Sequence, residues 1–150
     1  MKKILVVCMG NICRSPTGEA VLKAKATELN VEVEVDSAGT IGYHQGNPPD
    51  NRARAAAERR GYSFAGITSR KVTAEDFEYF DLILAADESN LSDLKRECPV
   101  ELHNKLVLFL SFGDSGYQEI PDPYYGEHDG FELVLDLIEN ASENVLKSLS

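Results

Sequence analysis

The chain has 150 residues, enough for one domain spanning 1–150 with a real core, and its 43% hydrophobic and 27% charged residues are ordinary for a globular protein. A formal net charge of −10 argues against nucleic acid and anionic membrane as partners. No apolar run approaches the ~20 residues of a membrane span, and the one behind Lys2 and Lys3 is too short for a secretory leader, so the expected location is the cytoplasm. Three cysteines, an odd number, do not suggest a disulfide scaffold, and no Cys/His spacing suits zinc, so no metal or cofactor is expected.

Ile4-Leu5-Val6-Val7 reads as a strand buried on both faces. The next eight residues, Cys8-Met9-Gly10-Asn11-Ile12-Cys13-Arg14-Ser15, form a strand-to-helix loop, because Pro16 suits a helix start and Ser15 before it is a candidate N-cap. A helix follows over 16–30, with Asn30 at its end. Val31, Val33 and Val35 alternate with Glu32, Glu34 and Asp36, the pattern of a half-buried edge strand over 31–36. A loop over 37–49 carries Tyr43 and His44, the latter read as a partly exposed loop residue.

Asp50 opens a helix that reaches Arg60, where Gly61 can end it; Arg52, Arg54, Arg59 and Arg60 read as its solvated face. After a second loop with Ser69-Arg70-Lys71, Thr73 caps a short helix, with Asp76 in the capping-box position. Leu82 to Ala86 is a second apolar strand, 87–98 a helix ended by Pro99, and Leu106 to Leu110 a fourth strand. Irregular chain over 111–129 leads to a last helix over 130–149, with Phe131, Val134, Ile138, Ala141, Val145 and Leu149 on one stripe. This alternation predicts a three-layer α/β/α fold around a four-stranded parallel sheet of order 2-1-3-4. The loop after the first strand then lies at the strand's carboxyl end beside the switch point, where open α/β sheets bind ligands.

The loop's chemistry follows from its residue types. Gly10 and Asn11 readily adopt positive φ, so that backbone N–H groups can converge on an anion, and the helix dipole adds positive potential. Arg14 supplies a planar fork matched to two phosphate oxygens. These act at contact range, whereas surface carboxylates are screened beyond about 8 Å at physiological salt. A cysteine after a buried strand is most often a small core residue, but a thiol beside an arginine and a helix N-terminus ionises readily. The flanking strand and helix start favour the reactive reading: Cys8 as a nucleophile that attacks phosphorus and forms a phosphocysteine. The leaving oxygen then needs a proton donor. Asp122, stiffened between Pro121 and Pro123, is a candidate, with Asp114 and Asp129 as rivals in the same irregular region. Cys98 reads as structural.

The stretch Cys8 to Ser15 resembles the Cys-x5-Arg-Ser signature of low molecular weight protein tyrosine phosphatases, with Met9 where leucine is usual and Gly10, Asn11, Ile12 and Cys13 as in the family. Asp36-Ser37-Ala38-Gly39-Thr40, Gly46-Asn47-Pro48-Pro49-Asp50, Asp87-Glu88-Ser89-Asn90 and Asp122-Pro123-Tyr124-Tyr125-Gly126 extend the resemblance along most of the chain. It implies metal-free hydrolysis of phosphotyrosine proteins, with Asp122 chosen over its rivals as acid and then base. It implies a slot walled by Tyr43, Tyr124 and Tyr125, the last two being candidate phosphorylation sites as well. Ser15 would donate a hydrogen bond to the Cys8 sulfur, and Asn11 would hold the loop's shape. It also implies a reversible Cys8–Cys13 disulfide on oxidation and, in bacteria, a cognate tyrosine kinase as counterpart. Ile67 stands where many members place a histidine that supports Asn11 together with a serine such as Ser37. The expected assembly is a monomer or weak homodimer.

Two alternatives share the cradle. An arsenate reductase relays electrons through further closely spaced cysteines, and only Cys98 remains for that. A phosphocarrier subunit of a sugar phosphotransferase system needs neither Arg14 nor the Asp122 segment.

Overall fold

Ile4, Leu5, Val6 and Val7 have no exposed surface, and their side chains alternate between two cores. They form β1 (Lys2–Cys8) of a parallel sheet in the order β2-β1-β3-β4, as expected. The computed structural model describes residues 1–122 and 130–149. Its other strands are β2 (Val33–Gly39), β3 (Leu82–Ala85) and β4 (Leu106–Leu108), and its helices α1 (Arg14–Leu29), α2 (Asn51–Arg59), α3 (Ala74–Tyr79), α4 (Glu88–Glu97) and α5 (Gly130–Leu149). Short 3-10 turns at Val100–Lys105 and Phe109–Phe112 flank β4.

Ile4 and Val6 face the core that α1 and α5 cover with Val21, Leu22, Ile138 and Val145. Leu5 and Val7 face the core that α3 and α4 cover with Phe77, Leu91 and Leu94. The sheet is thus the middle of three layers, and β1, paired with β2 on one side and β3 on the other, is its most enclosed strand. None of the described helices is long and apolar enough to cross a membrane.

Local expectations held at several ends and failed at others. Asp50 caps α2, accepting from the N–H groups of Arg52 and Ala53, and Asp76 accepts the Thr73 N–H at 2.7 Å, as a capping box requires. Asn30 ends α1 in the left-handed conformation. The second strand starts at Val33 and runs on to Gly39, beyond the expected 31–36, because its pairing with β1 continues to Cys8↔Gly39 after the alternating valines have stopped. β4 ends at Leu108 instead of Leu110, since the chain turns at Phe109 to bury Phe109 and Leu110. Arg59 and Arg60 are not a purely solvated face. Arg60 reaches Glu132, Asp136 and Glu139, and Arg59 reaches Glu132, which ties α2 to α5. Pairs this exposed add about 0–1 kcal/mol each.

Candidate active site

The loop between β1 and α1 is pinned from outside by its carbonyls. Cys8 O accepts from Thr40 N, Met9 O from Ile41 N, Ile12 O from Asp50 N, and Gly10 O from Ser69 Oγ, at 2.7–3.1 Å. In a trans peptide the N–H points opposite to the C=O. The N–H groups of Met9, Gly10, Asn11 and Cys13 are therefore turned away from that outer ring, on the side of the cavity that Met9, Gly10 and Cys13 line. Asn11 contributes the turn: its φ of 56° is left-handed, a conformation asparagine adopts more readily than most residues. Gly39 lets the outer ring come close, because a Cβ there would stand 2.7 Å from Met9 O.

The cavity measures about 270 Å³ and gathers Cys8, Cys13 and Arg14, all buried, with Ile41, Tyr43, His44 and Asp122. Tyr43 is 82% exposed, and Asp122 is exposed as well. His44 is half-buried, edge-on to Tyr43, and so close to Gly10 that a Cβ there would stand 3.0 Å from its ring. Tyr124, Tyr125 and Asp129 lie outside the described residues, while Asp114 is held by Asn140, away from the cavity's lining residues.

Ser15 is not the helix cap. The cap position falls at Cys13, and the Ser15 side chain turns inward instead. Its N–H donates to Cys8 Sγ at 3.4 Å, and its hydroxyl oxygen stands 3.0 Å from the same sulfur. Asn11 Nδ2 donates to Ser15 Oγ at 2.8 Å and to Ser37 Oγ at 3.0 Å, and Ser37 Oγ donates to the buried Glu19 at 2.7 Å. Asn11 Oδ1 accepts from Arg70 N at 3.0 Å. Ile67 packs in the apolar core beside Tyr62 and Phe64 and takes no part in this network.

Arg14 is held by one nitrogen. Its Nη1 donates to Asp87 Oδ2 at 2.8 Å and to Ile120 O at 3.0 Å. Burial opposes its charge, but Cys8 and Asp87 outweigh burial and hold the guanidinium ionised. Asp87 has two duties, since its other oxygen caps α4 through Asn90 N. The signal for Asp87 was available in outline: a helix-capping aspartate at the carboxyl end of the strand next to β1 faces whatever follows β1. Glu19 and Arg70, by contrast, read as ordinary helix and loop charges.

Cys13 behaves unlike a nucleophile. Burial, then Asp50, Cys8 and Asp122, push its thiol up to about 12. Its folded value thus lies above that of an ordinary thiol, so the neutral thiol stabilises the fold fully below about pH 9 and that contribution is lost as pH rises toward 12. Iodoacetamide near pH 8 is expected to label Cys8 and spare Cys13. Denaturant titrations should show the wild type losing more stability than Cys13→Ala between about pH 9 and 12.

The family profile described as low molecular weight phosphotyrosine protein phosphatase matches residues 3–150. A protein of that name from Homo sapiens is 44% identical over 89% of this chain and 86% of its own. A low molecular weight protein-tyrosine-phosphatase of Bacillus subtilis is 37% identical over 99% of this chain and 96% of its own. The crystal structure of a protein tyrosine phosphatase from Entamoeba histolytica superposes with a TM-score of 0.95 at 41% identity, covering 99% of this chain and 97% of that one.

Proposed function

The chain belongs to the low molecular weight phosphotyrosine protein phosphatase family, and we propose that it hydrolyses phosphotyrosine on proteins in two steps through Cys8. In the first, Cys8 Sγ attacks phosphorus, the bond to the aryl oxygen breaks, and Asp122 gives that oxygen its proton. In the second, Asp122 takes a proton from water, the water oxygen attacks phosphorus, and the sulfur leaves as an anion. The N–H groups turned into the cavity, with Nε and Nη2 of Arg14, which Asp87 and Ile120 do not engage, bind the phosphoryl oxygens in both steps. Ile41 and Tyr43 offer apolar surface to a flat ring beside the phosphate. Tyr124 and Tyr125 join that slot in this reading.

One observation carries the proposal: Cys8 Sγ meets the N–H and hydroxyl of Ser15 in the same cavity that Arg14 and Asp122 line. The proposed assembly is a monomer or a weak homodimer. The proposed setting is the cytoplasm, where thiols stay reduced; all three cysteines are free in the structure. A tyrosine kinase acting on the same proteins would be its counterpart. The arsenate reductase reading is not favoured, because Cys98 lies in the core under α3 and α4, hydrogen-bonded to Pro99 O. Hydrolysis of p-nitrophenyl phosphate in the presence of EDTA, inhibited by vanadate, is expected. Absence of turnover under those conditions would overturn the proposal.

A further inference from the structure

Asn11 can lie in its pocket in two ways, related by exchange of its amide oxygen and nitrogen. What faces Oδ1 decides between them. The backbone N–H of Arg70 can only donate, so it requires Oδ1 on its side and sends Nδ2 toward Ser15 and Ser37. With Asn11 donating to it, the Ser15 hydroxyl turns its own proton elsewhere, to Cys8 Sγ at 3.0 Å or to Ala38 O at 3.4 Å. In the exchanged orientation Ser15 would donate to Asn11 instead, and the sulfur would lose its hydroxyl donor.

The backbone of residue 70 is itself held by its side chain. Nη1 and Nη2 of Arg70 donate to both oxygens of Asp76 at 2.9 and 3.1 Å, and Nε and Nη2 donate to Asp36 Oδ2 at 3.3 and 3.0 Å. Asp36 belongs to β2 and Asp76 to the first turn of α3, so one guanidinium bridges two elements with a bidentate fork at one end. Between them, Arg70 O accepts from Gly39 N at 2.8 Å, at the end of the strand that carries Ser37.

We propose that Arg70 is a positioning residue for the Cys8 sulfur: its clamp on Asp36 and Asp76 fixes its N–H against Asn11, and thereby sends the Ser15 proton to the sulfur. The proposal rests on the phosphatase reading for its effect on turnover, but not for its effect on the thiol. A sulfur hydrogen-bonded by Ser15 is a better leaving group when water displaces it from phosphorus, so the second step depends on the clamp more than phosphate binding does.

The test compares wild type with Arg70→Met, Arg70→Lys and Asp36→Asn. For each, kcat and KM for p-nitrophenyl phosphate, inhibition by inorganic phosphate, and the rate of Cys8 alkylation by iodoacetamide at neutral pH are measured. Arg70→Met is expected to lower kcat and slow alkylation by about tenfold each, the scale of one lost hydrogen bond to a charged acceptor, with phosphate inhibition held within about twofold. Arg70→Lys recovers part of both, since it keeps the charge and loses the fork, and Asp36→Asn gives a smaller loss of the same kind. A folded Arg70→Met protein with wild-type alkylation and kcat overturns the proposal, as does a loss of phosphate affinity equal to the loss in kcat. If Arg70→Met does not fold, the other two variants decide on the same criteria. A wild type that alkylates normally but leaves the aryl phosphate intact sinks the phosphatase reading alone, because the alkylation series still tests the clamp.

Discussion

Cys8→Ser is expected to abolish turnover of aryl phosphates, by at least about 10⁴-fold, while leaving phosphate binding in place. A serine hydroxyl has to lose a far more tightly held proton than a thiol, and Asp122, the carboxyl lining the cavity, enters the first step as the acid and not as a base. Ser15 and Arg14 offer donors, and Asp87 is already occupied by Arg14 and the cap of α4. The binding elements are untouched, since the loop carbonyls are pinned by Thr40, Ile41, Asp50 and Ser69, none of which contacts the sulfur. Stabilisation by inorganic phosphate in a thermal melt should match wild type, and the variant should retain phosphotyrosine proteins on a column. Measurable turnover by pure Cys8→Ser protein would remove the sulfur from the mechanism.

Asp122→Asn is expected to cost about 10²–10⁴-fold in kcat for phenyl phosphate and clearly less for p-nitrophenyl phosphate. The asparagine keeps the shape and loses the transferable proton, so the penalty grows with the basicity of the leaving oxygen. Asp122 lines, from an exposed position, the same cavity as Cys8 and Arg14. A plot of log kcat against leaving-group basicity decides the matter. A steeper slope for the variant assigns the acid to Asp122, and parallel lines assign it elsewhere.

The parts legible in the sequence are those where one residue property has one structural consequence. Two uninterrupted apolar runs, Ile4 to Val7 and Leu82 to Ala86, announce strands enclosed on both faces, and their place in the alternation of helix and strand yields the sheet order. Asp50 and the Thr73/Asp76 pair announce helix starts because their short side chains reach nearby N–H groups. Cys8 and Arg14 are recognisable because their spacing is local.

What stayed hidden depends on tertiary neighbours. Ser15 has the composition of a cap and the position of a donor to sulfur, and only the turn at Asn11 decides between them. Arg59 and Arg60 resemble any exposed helix charges until α5 is packed beside them. Arg70 and Glu19 join the site through Asn11 and Ser37, residues remote in sequence that meet once β2 lies against β1.

The enclosure of β1 has a consequence for how this protein fails. Backbone amides at Ile4 to Val7, shielded by strands on both sides and a core on each face, exchange with solvent only through openings as large as the whole sheet. The sulfur's anchor therefore sits among the slowest-exchanging amides of the described residues. Heat or denaturant consequently removes the strand that carries Cys8 and the global structure in a single cooperative event.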